Sequence, residues 1–242
     1  MKKAIIIGAT SGIGKEVALC LLRKGWSVGL AGRRQALLEE IENQFPETAR
    51  SCVLDITQND AVEKLQFLIN QLDGMDLYFH STGIGKNNPE LESDPEIATV
   101  ETNAKGFVRM VTAVYHYFSE KKGGHIAVIS SIAGTKGIGV APAYSATKRF
   151  QNIYIEALEQ LSHINRLNIN FTDIRPGFVK TDILDSKHSY PMLMNPEKVA
   201  RQAVRAIERK KRIIVMDWRY RMLAFCWRLI PGWIWIRLKI RN

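Results

Sequence analysis

The sequence predicts an α/β fold in which a parallel β-sheet is covered by helices on both faces. Two observations lead to this prediction. Short apolar segments alternate with amphipathic segments along the 242-residue chain, and the apolar segments are apolar on both faces of the strands that they would form. Strands of this kind, separated by helices, are typical of a parallel sheet in a single domain.

We predict seven strands and six helices from this alternation. The strands are expected at 4–7, 27–31, 51–55, 76–80, 125–130, 168–173 and 212–216, and the helices near 13–24, 34–44, 58–72, 95–121, 142–164 and 196–210. No internal repeat or linker divides the chain. We therefore expect one domain over 1–216, followed by an amphipathic helical tail over 217–242.

The composition is that of an ordered globular protein. Hydrophobic residues make up 46% of the chain and charged residues 24%, which is enough to fill one sizeable core. Cys20, Cys52 and Cys226 are far apart and form no CxxC pair, which predicts a reduced, cytoplasmic protein without a metal site. The first apolar run stops at Gly8, too early for a signal peptide, and no segment reaches the roughly 18 apolar residues of a membrane-spanning helix.

The net charge of +10 raises the question of nucleic-acid binding. Half of this charge lies in the tail, where Asp217 stands against six basic residues: Arg219, Arg221, Arg228, Arg237, Lys239 and Arg241. The rest is spread thinly over the remaining chain, as on an ordinary solvated surface. We therefore expect no nucleic-acid partner.

A glycine-rich turn follows the first strand and opens the first helix. Glycine allows the backbone to approach a pyrophosphate, and the helix N-terminus offers free N–H groups and a positive dipole end. The spacing is GxxxGxG rather than GxGxxG, and a plain tight turn is the alternative. The position between strand and helix favours a dinucleotide site, with Gly8, Thr10, Ser11, Gly12, Ile13 and Gly14 as candidate residues.

The second strand ends in a pair of arginines. A carboxylate at this position would bind the ribose 2′-OH of NAD, whereas Arg33 offers a guanidinium group to the 2′-phosphate of NADP. Arg34 is expected either to assist or to start the next helix facing water. We therefore predict NADP(H) rather than NAD(H).

Tyr144 and Lys148 lie one helical turn apart, and Ser131 precedes them at the end of a strand. A free tyrosine, with a pKa near about 10, is a poor base at neutral pH. The ammonium at i+4 is expected to lower the pKa of Tyr144, while Ser131 can stabilise an oxyanion. The same Tyr-x-x-x-Lys pattern occurs at Tyr117 and Lys121, but no strand-end serine precedes it, and we expect a structural role there.

From residue 3 to about residue 216, the chain resembles the short-chain dehydrogenase/reductase family. The elements that carry the resemblance occur in order: GATSGIG at 8–14, LDIT at 54–57, a turn at Gly83, Asn103 in a long helix, Ser131, YSATK at 144–148 and RPGFVKT at 175–181. The resemblance implies a doubly wound, Rossmann-type sheet of seven strands in the order 3-2-1-4-5-6-7. It also implies NAD(P)-dependent interconversion of a carbonyl and an alcohol.

The resemblance further implies roles for individual residues. Asp55 and Ile56 would bound the adenine, Gly83 would let the backbone pass the adenosine ribose, and Asn103 would anchor a water in a proton relay from Lys148. Spacing selects Ser131 over Ser130 as the hydroxyl that polarises the substrate. Further cofactor contacts are expected from Thr82, Asn103, Tyr144, Lys148, Pro176, Gly177, Val179 and Thr181.

The chain departs from the family pattern after the fourth strand, where the usual Asn-Asn-Ala-Gly is His-Ser-Thr-Gly at 80–83. His80 ends an apolar strand, and we expect a hydrogen-bonded core residue rather than a catalytic one. After the Pro-Gly turn, the family places a lid, here 182–195. Its Tyr190, Met192, Leu193 and Met194 suit either an apolar pocket or packing against a neighbouring helix.

The tail is not explained by the resemblance. It contains four of the five tryptophans, interleaved with basic residues and split by a Pro-Gly pair: Trp218, Trp227, Trp233 and Trp235. Tryptophan and arginine at helical spacing suit a segment lying in a membrane interface. They equally suit a contact between subunits, and both readings stay open.

The sequence thus predicts an NADP(H)-dependent carbonyl reductase or alcohol dehydrogenase that acts on a small molecule and forms a homo-oligomer. One alternative is a lipid or 3-ketoacyl reductase attached to a membrane surface by its tail. Another is a non-catalytic, NADP-sensing or scaffold protein. The intact set of Asn103, Ser131, Tyr144 and Lys148 argues against this last alternative.

Overall fold

The fold is a seven-stranded parallel sheet with helices on both faces. The structure is a computed structural model and describes residues 1–182, 184 and 190–240. The strands are β1 (Lys3–Ile7), β2 (Ser27–Gly32), β3 (Ala49–Val53), β4 (Leu77–His80), β5 (Gly123–Ile129), β6 (Asn168–Arg175) and β7 (Ile213–Val215). Their order is β3-β2-β1-β4-β5-β6-β7, and all neighbours are parallel. The predicted fold class and strand order are therefore confirmed.

The helices cover the two faces in separate groups. In chain order they are α1 (Gly12–Arg23), α2 (Gln35–Gln44), α3 (Ala61–Gln71), α4 (Ser93–Val100), α5 (Phe107–Glu120), α6 (Pro142–Ile164), α7 (Pro196–Glu208), α8 (Trp218–Leu229) and α9 (Gly232–Trp235). One apolar core contains residues of α1, α2, α7 and α8, and the other contains residues of α3, α5 and α6. The order reverses between β1 and β4, where ligands of doubly wound sheets bind.

The apolar run of β1 explains why both faces are covered. Successive side chains of a strand point to opposite faces. Ala4 and Ile6 lie in one core, Ile5 and Ile7 lie in the other, and all four are buried. These four residues are apolar on both faces of the strand, which fits the interior position of β1 between β2 and β4.

Several predicted bounds shift by two or three residues in the structure, and two of the differences bear on the candidate site. β3 begins and ends two residues before the predicted 51–55, because β2 provides partners only from Val28 to Gly32. Asp55 therefore lies in a turn, where its Oδ1 accepts hydrogen bonds from the backbone N–H and the hydroxyl of Thr57 at 2.9 and 2.8 Å. The second difference concerns the helix predicted at 95–121.

That long helix is divided by a π-helical turn. Residues Glu101–Gly106 form the turn between α4 and α5, and π-turns of this kind often occur at functional sites. The turn contains Asn103, which is fully buried. Gly106 packs so closely that a Cβ atom there would lie 2.9 Å from Cγ1 of Ile56. The helical period seen in the sequence continues through the turn, so the sequence pattern does not reveal it.

The tail is packed onto the domain. Tyr220 and Ala224 of α8 are buried in the same core as residues of α1 and α7. Trp235 is also buried, and its ring centroid lies 5.3 Å from that of Trp227. Among the described residues, no helix is long and apolar enough to cross a membrane. The domain boundary placed before residue 217 stays a prediction, and Arg241 lies outside the described residues.

Two histidines are buried in the sheet and are held in the neutral form. Burial, with the charge of Lys148 as a smaller cause, lowers the pKa of His80 to about 3. The His80 Nδ1 is hydrogen-bonded to the Tyr78 hydroxyl at 2.9 Å. Burial, with a smaller contribution from Lys210, lowers the pKa of His125 to about 4. His80 is thus the hydrogen-bonded core residue that the sequence suggested.

We expect these histidines to make the fold less stable in mild acid. The unfolded chain takes up a proton on each ring near about pH 6.5, whereas the folded chain does so only near pH 3 and pH 4. The unfolded state therefore binds more protons in this window, and the free energy of unfolding falls as the pH falls. For His80 the loss between about pH 6.5 and about pH 5 should be about 1.5 kcal/mol.

Urea unfolding at several pH values measures this slope. His80→Asn should flatten it, and His163→Gln, which changes an exposed ring on α6, is the control for a histidine substitution. An unchanged slope in the His80→Asn protein would contradict the prediction.

Candidate active site

The glycine-rich turn lies at the carboxyl end of β1 and forms a narrow cradle. Gly8 has a φ of +90°, and a Cβ atom there would lie 3.0 Å from the backbone N of Thr82. A Cβ atom on Gly14 would lie 2.1 Å from the carbonyl oxygen of Gly8. Gly12 has a φ of +54° and faces Thr181, whose Cγ2 would be 2.8 Å from an added Cβ. Side chains at these positions would fill the cradle, so the glycines keep it open.

The cradle is continuous with the N-terminus of α1. Ser11 is the N-cap residue but makes no side-chain capping hydrogen bond. The first N–H groups of an α-helix have no carbonyl partner within the helix, and they carry its positive dipole end. A pyrophosphate suits this arrangement, since it needs N–H donors and positive potential. The residues present therefore fit a dinucleotide.

The two arginines after β2 are in different surroundings. Arg34 donates to the Thr10 hydroxyl, with 3.0 Å from Nη2 to Oγ1, and its Nη1 lies 3.3 Å from Oδ2 of Asp182. Arg33 is exposed, and it makes no hydrogen bond or ion pair with the part of the chain that the structure describes. The guanidinium of Arg33 is therefore available to a ligand, while that of Arg34 braces the glycine-rich turn.

Asn103 organises the turn that follows β4. Its Oδ1 accepts from the Ile84 N–H at 2.9 Å, and its Nδ2 donates to the Ile84 carbonyl at 2.7 Å. A Cβ atom on Gly83 would lie 3.2 Å from Oδ1 of Asn103 and 3.4 Å from Nζ of Lys148. The glycine therefore lets the backbone pass both side chains. Ile56 is buried against Gly106 of the π-helical turn, whereas Asp55 is partly exposed.

Ser131 and Tyr144 are brought together. Ser131 follows β5, and its Oγ accepts from the Ala133 N–H at 3.0 Å. The Ser131 hydroxyl lies close enough to the Tyr144 phenol to oppose the rise of its pKa, and its Oγ donates to the Pro176 carbonyl at 3.4 Å. Ser130 points elsewhere, since its Oγ donates to the carboxylate of Asp173. The choice of Ser131 over Ser130 agrees with this geometry.

Lys148 is buried below Tyr144. Its Nζ lies 5.8 Å from the centroid of the Tyr144 ring and donates to the Ile129 carbonyl at 3.0 Å and to Oε1 of Gln151 at 3.1 Å. The amide of Gln151 in turn donates to the carbonyl oxygen of Asn103 at 2.9 Å. Gln151 is fully buried and thus connects the ammonium to the π-turn. The Gln151 side chain therefore lies between Lys148 and Asn103, the two residues that the expected proton relay would connect.

The pKa of Tyr144 differs from the expectation based on spacing. Burial raises the pKa of the Tyr144 phenol, and the hydrogen bond to Ser131 offsets part of this effect. The expected lowering by Lys148 is absent because the ammonium is turned toward Ile129 and Gln151. Burial lowers the pKa of Lys148 itself to about 8, and the charge of Asp173 opposes this shift. The phenol is therefore protonated at neutral pH.

A buried carboxylate supports these groups from behind. Asp173 accepts from Nδ2 of Asn152 at 3.0 Å and from Nε and Nη2 of Arg175 at 2.8 and 2.6 Å. It also accepts from Ser130. All four side chains are buried, so the negative charge is compensated by donors on every side.

Gly85 sets the position of the Tyr144 ring. A Cβ atom on Gly85 would lie 2.2 Å from Cδ2 of Tyr144, a separation that no side chain tolerates. Gly85 does not have a positive φ, so its role is to provide space. No sequence pattern marks Gly85 apart from its position two residues after Gly83.

The segment after β6 is held by the tail. A Cβ atom on Gly177 would lie 2.3 Å from the ring of Tyr220. The Tyr220 hydroxyl accepts from the Phe178 N–H at 3.1 Å and donates to the Pro191 carbonyl at 2.8 Å. The segment before the predicted lid and the last part of the lid therefore both contact one tyrosine of α8.

The last residues of the predicted lid are partly packed onto the domain. Residues 183 and 185–189 of the predicted lid lie outside the described residues. Val179 pairs with Met194, which is buried, and Met192 packs against the same core. The two methionines thus follow the packing alternative, whereas Leu193 is exposed.

Sequence reasoning missed Gln151, Asn152, Asp173 and Tyr220. Polar residues three and four positions after Lys148 on a helix, and a carboxylate inside an otherwise apolar strand, were visible signals, because buried polar groups need partners. Tyr220 had no such signal. The second Tyr-x-x-x-Lys pattern is structural, as expected: the Tyr117 hydroxyl accepts from the Met75 N–H at 3.0 Å, far from the glycine-rich turn.

Known proteins with similar sequences are named as oxidoreductases. A family model described as short chain dehydrogenase matches residues 2–190. A Myxococcus xanthus protein named as an oxidoreductase is 32% identical over 197 residues, which cover 79% of this chain and 77% of that protein. A Listeria monocytogenes protein, also named as an oxidoreductase, is 33% identical over 76% of this chain and 77% of its own length.

Solved structures share the fold at lower identity. ElxO with NADP bound is 21% identical and superposes with a TM-score of 0.81 over 91% of this chain and 99% of its own. An actinorhodin polyketide ketoreductase with NADPH is 22% identical, with a TM-score of 0.77 over 89% of this chain and 95% of its own.

Proposed function

This chain belongs to the short-chain dehydrogenase/reductase family of NAD(P)-dependent oxidoreductases, and on that premise we propose that it reduces a carbonyl compound to an alcohol with NADPH. The single observation that carries the proposal is the meeting of Ser131, Tyr144 and Lys148 beside the glycine cradle. Because the chain belongs to an oxidoreductase family, we do not retain the alternative of a non-catalytic sensor.

Tyr144 is proposed as the proton donor and Ser131 as the group that binds the substrate oxygen. Burial raises the pKa of the phenol, so the group is protonated at neutral pH and can act as the proton donor of a reduction. The Ser131 hydroxyl, which lies beside the phenol, is proposed to donate to the same oxygen and to stabilise the charge that develops on it.

The proposed reduction adds a hydride to the carbonyl carbon and a proton to the carbonyl oxygen. When bound, the reduced nicotinamide supplies the hydride that reaches the carbonyl carbon. The carbonyl oxygen gains the proton of Tyr144, which gives an alcohol and leaves a phenolate. Lys148, whose ammonium lies 5.8 Å from the ring centroid, is proposed to stabilise this phenolate until solvent returns a proton.

Gln151 is proposed to position Lys148, and Asn103 to position the turn at Ile84. The Gln151 amide connects the Lys148 ammonium to the Asn103 carbonyl. Because it holds the ammonium by hydrogen bonds, it keeps a charged group in a buried place where its pKa is already lowered to about 8. Asn103 stays the proposed anchor of a water in a proton relay from Lys148, through which solvent would return a proton to Tyr144.

We expect Tyr144→Phe to abolish turnover while cofactor still binds. The substitution removes the donated proton but keeps the ring that packs against Gly85. NADPH oxidation with a panel of ketones measures turnover, which should fall by at least about a hundredfold, and fluorescence titration measures binding. Tyr117→Phe is the matched control, because it alters the other Tyr-x-x-x-Lys pattern. Retained turnover in Tyr144→Phe would refute the assignment.

We expect Gly85→Ala to lower kcat strongly, because the new Cβ would force the Tyr144 ring to move. Gly139→Ala, in the loop before α6, is the matched control, since nothing lies within 4 Å of a Cβ atom there. A misplaced acid typically costs about a hundredfold in rate. Equal kcat values in the two variants would show that the ring position does not depend on Gly85.

NADP(H) is proposed as the preferred cofactor because of the unengaged Arg33. A guanidinium group offers a planar pair of donors to a phosphate, and Arg33 follows the strand whose end is expected to meet the adenosine ribose. ElxO and the actinorhodin ketoreductase were solved with NADP and NADPH, which supports the same preference. Asp55, Ile56, Thr82 and Gly83, with Pro176, Gly177, Val179 and Thr181, are proposed as the remaining cofactor contacts.

We expect Arg33→Asp to weaken NADPH binding by at least about tenfold and to leave NADH binding nearly unchanged. Arg34→Gln should weaken both cofactors alike, since Arg34 braces the turn through Thr10. Isothermal titration with each cofactor measures the dissociation constants. Equal losses of the two cofactors in Arg33→Asp would show that this side chain does not contact the phosphate.

A homo-oligomer is proposed through the exposed apolar face of α4 and α6. These helices pack against each other and expose six large apolar side chains: Ile97, Val100, Phe150, Ile153, Leu161 and Ile164. A second copy covering this face would remove them from water. The substrate is proposed to be a small ketone or aldehyde, and a lipid or 3-ketoacyl compound is the second candidate because of the tail.

A further inference from the structure

One face of the tail is apolar and unpartnered. Trp218, Met222, Phe225 and Leu229 of α8 are 70%, 53%, 57% and 67% exposed. Their spacing of four, three and four residues places them in one stripe of the helix. With Trp233 and Ile236, which are 64% and 78% exposed and follow in the chain, they form what we call the tail surface.

The exposed stripe is additional to the face that packs on the domain. Tyr220 and Ala224 are buried on the opposite side of α8. An ordinary surface helix has one apolar side, which faces the core. Here the second side also carries large apolar residues, and contiguous exposed patches of this kind mark interaction sites.

The charges around the tail surface are positive. Arg221 and Arg228 lie beside the stripe on one flank, at about −60° and −80° of helical rotation from Trp218. Arg237 and Lys239 follow in the chain, and all four are exposed. The carboxylate of Asp217 is engaged with Arg219, at 2.8 Å from Oδ2 to Nη2. Asp217 therefore neutralises Arg219 and not the four basic residues beside the tail surface.

This charge pattern decides between two occupants. A second copy would bring identical arginines against each other across a twofold axis, which like-charge repulsion opposes. An anionic lipid surface has the opposite charge and accepts apolar side chains below its headgroups. Tryptophans, such as Trp218 and Trp233 here, are the side chains most enriched at that boundary.

We propose that the tail surface docks the enzyme onto an anionic lipid bilayer, with Trp218, Met222, Phe225, Leu229, Trp233 and Ile236 inserted at headgroup depth and Arg221, Arg228, Arg237 and Lys239 on lipid phosphates. The docking is peripheral. It does not depend on the proposed reaction, because no group of the candidate active site belongs to the tail surface.

The inserted helices are held rigidly on the domain. The indole Nε1 of Trp235 donates to the Gly137 carbonyl at 2.7 Å, and Nζ of Lys136 donates to the Ile230 carbonyl at 2.9 Å. The tail surface is therefore pre-formed, which reduces the ordering cost of binding. Because Tyr220 and Trp235 are buried, point substitutions test the surface better than truncation, which would expose the core.

The full chain is tested by flotation with vesicles of phosphatidylcholine alone and of phosphatidylcholine mixed with phosphatidylglycerol. It should float with the mixed vesicles, and added salt should weaken this binding. Phe225→Ser should reduce the bound fraction at least about fivefold. The matched control is Phe67→Ser, because Phe67 on α3 is 50% exposed and lies outside the tail surface.

The basic residues are tested in the same way. Arg221→Gln with Arg228→Gln should weaken binding to the mixed vesicles about thirtyfold, since each cation near an anionic surface contributes about 1 kcal/mol. Arg205→Gln, an exposed arginine of α7, is the control. Tyr144→Phe should float like the parent chain, so a failure of the proposed reaction and a failure of docking are distinguishable.

Two results would overturn the proposal. One is a parent chain that does not float with phosphatidylglycerol vesicles, or that floats equally after Phe225→Ser. The other is a dimer, seen by sedimentation velocity without lipid, that Phe225→Ser dissociates and Ile153→Ser does not. That outcome would assign the tail surface to a second copy of the chain.

Discussion

One buried carboxylate joins the elements that carry the candidate catalytic groups. Asp173 on β6 binds Ser130 at the end of β5, Asn152 on α6 and Arg175 on its own strand. Removing one partner of a buried ion pair typically costs about 3–5 kcal/mol, because the remaining charge is left uncompensated in a low-dielectric interior. Ser131 and Lys148 are thus placed relative to each other by a network to which neither belongs.

The same interior decides the protonation states around the candidate site. Burial lowers the pKa of Lys148 to about 8, and the charge of Asp173 limits that shift, so the ammonium form still predominates at neutral pH. A protonated His80 would repel this ammonium, and the lowered pKa of about 3 keeps the ring neutral. Among the described residues, Lys148 is the cation found beside the Tyr144 ring, with its Nζ 5.8 Å from the ring centroid.

The sequence predicted the fold and the positions of the main groups because these depend on local pattern. Apolar runs located all seven strands, and the spacing of Ser131, Tyr144 and Lys148 placed them on one strand end and one helix face. Contacts between distant residues were not predictable in this way. Gly85 meets the Tyr144 ring and Tyr220 meets Gly177 only after folding, and burial, which raises the pKa of Tyr144, leaves no trace in residue spacing.

The hydrogen bond between the Trp235 indole and the Gly137 carbonyl connects the tail to the loop that separates Ser131 from Tyr144. If a ligand in the cleft shifts this loop and the tail moves with it, the ligand changes the affinity of whatever binds the tail, and by thermodynamic reciprocity the reverse holds with the same factor. Binding in the cleft and attachment of the tail would then be coupled equilibria.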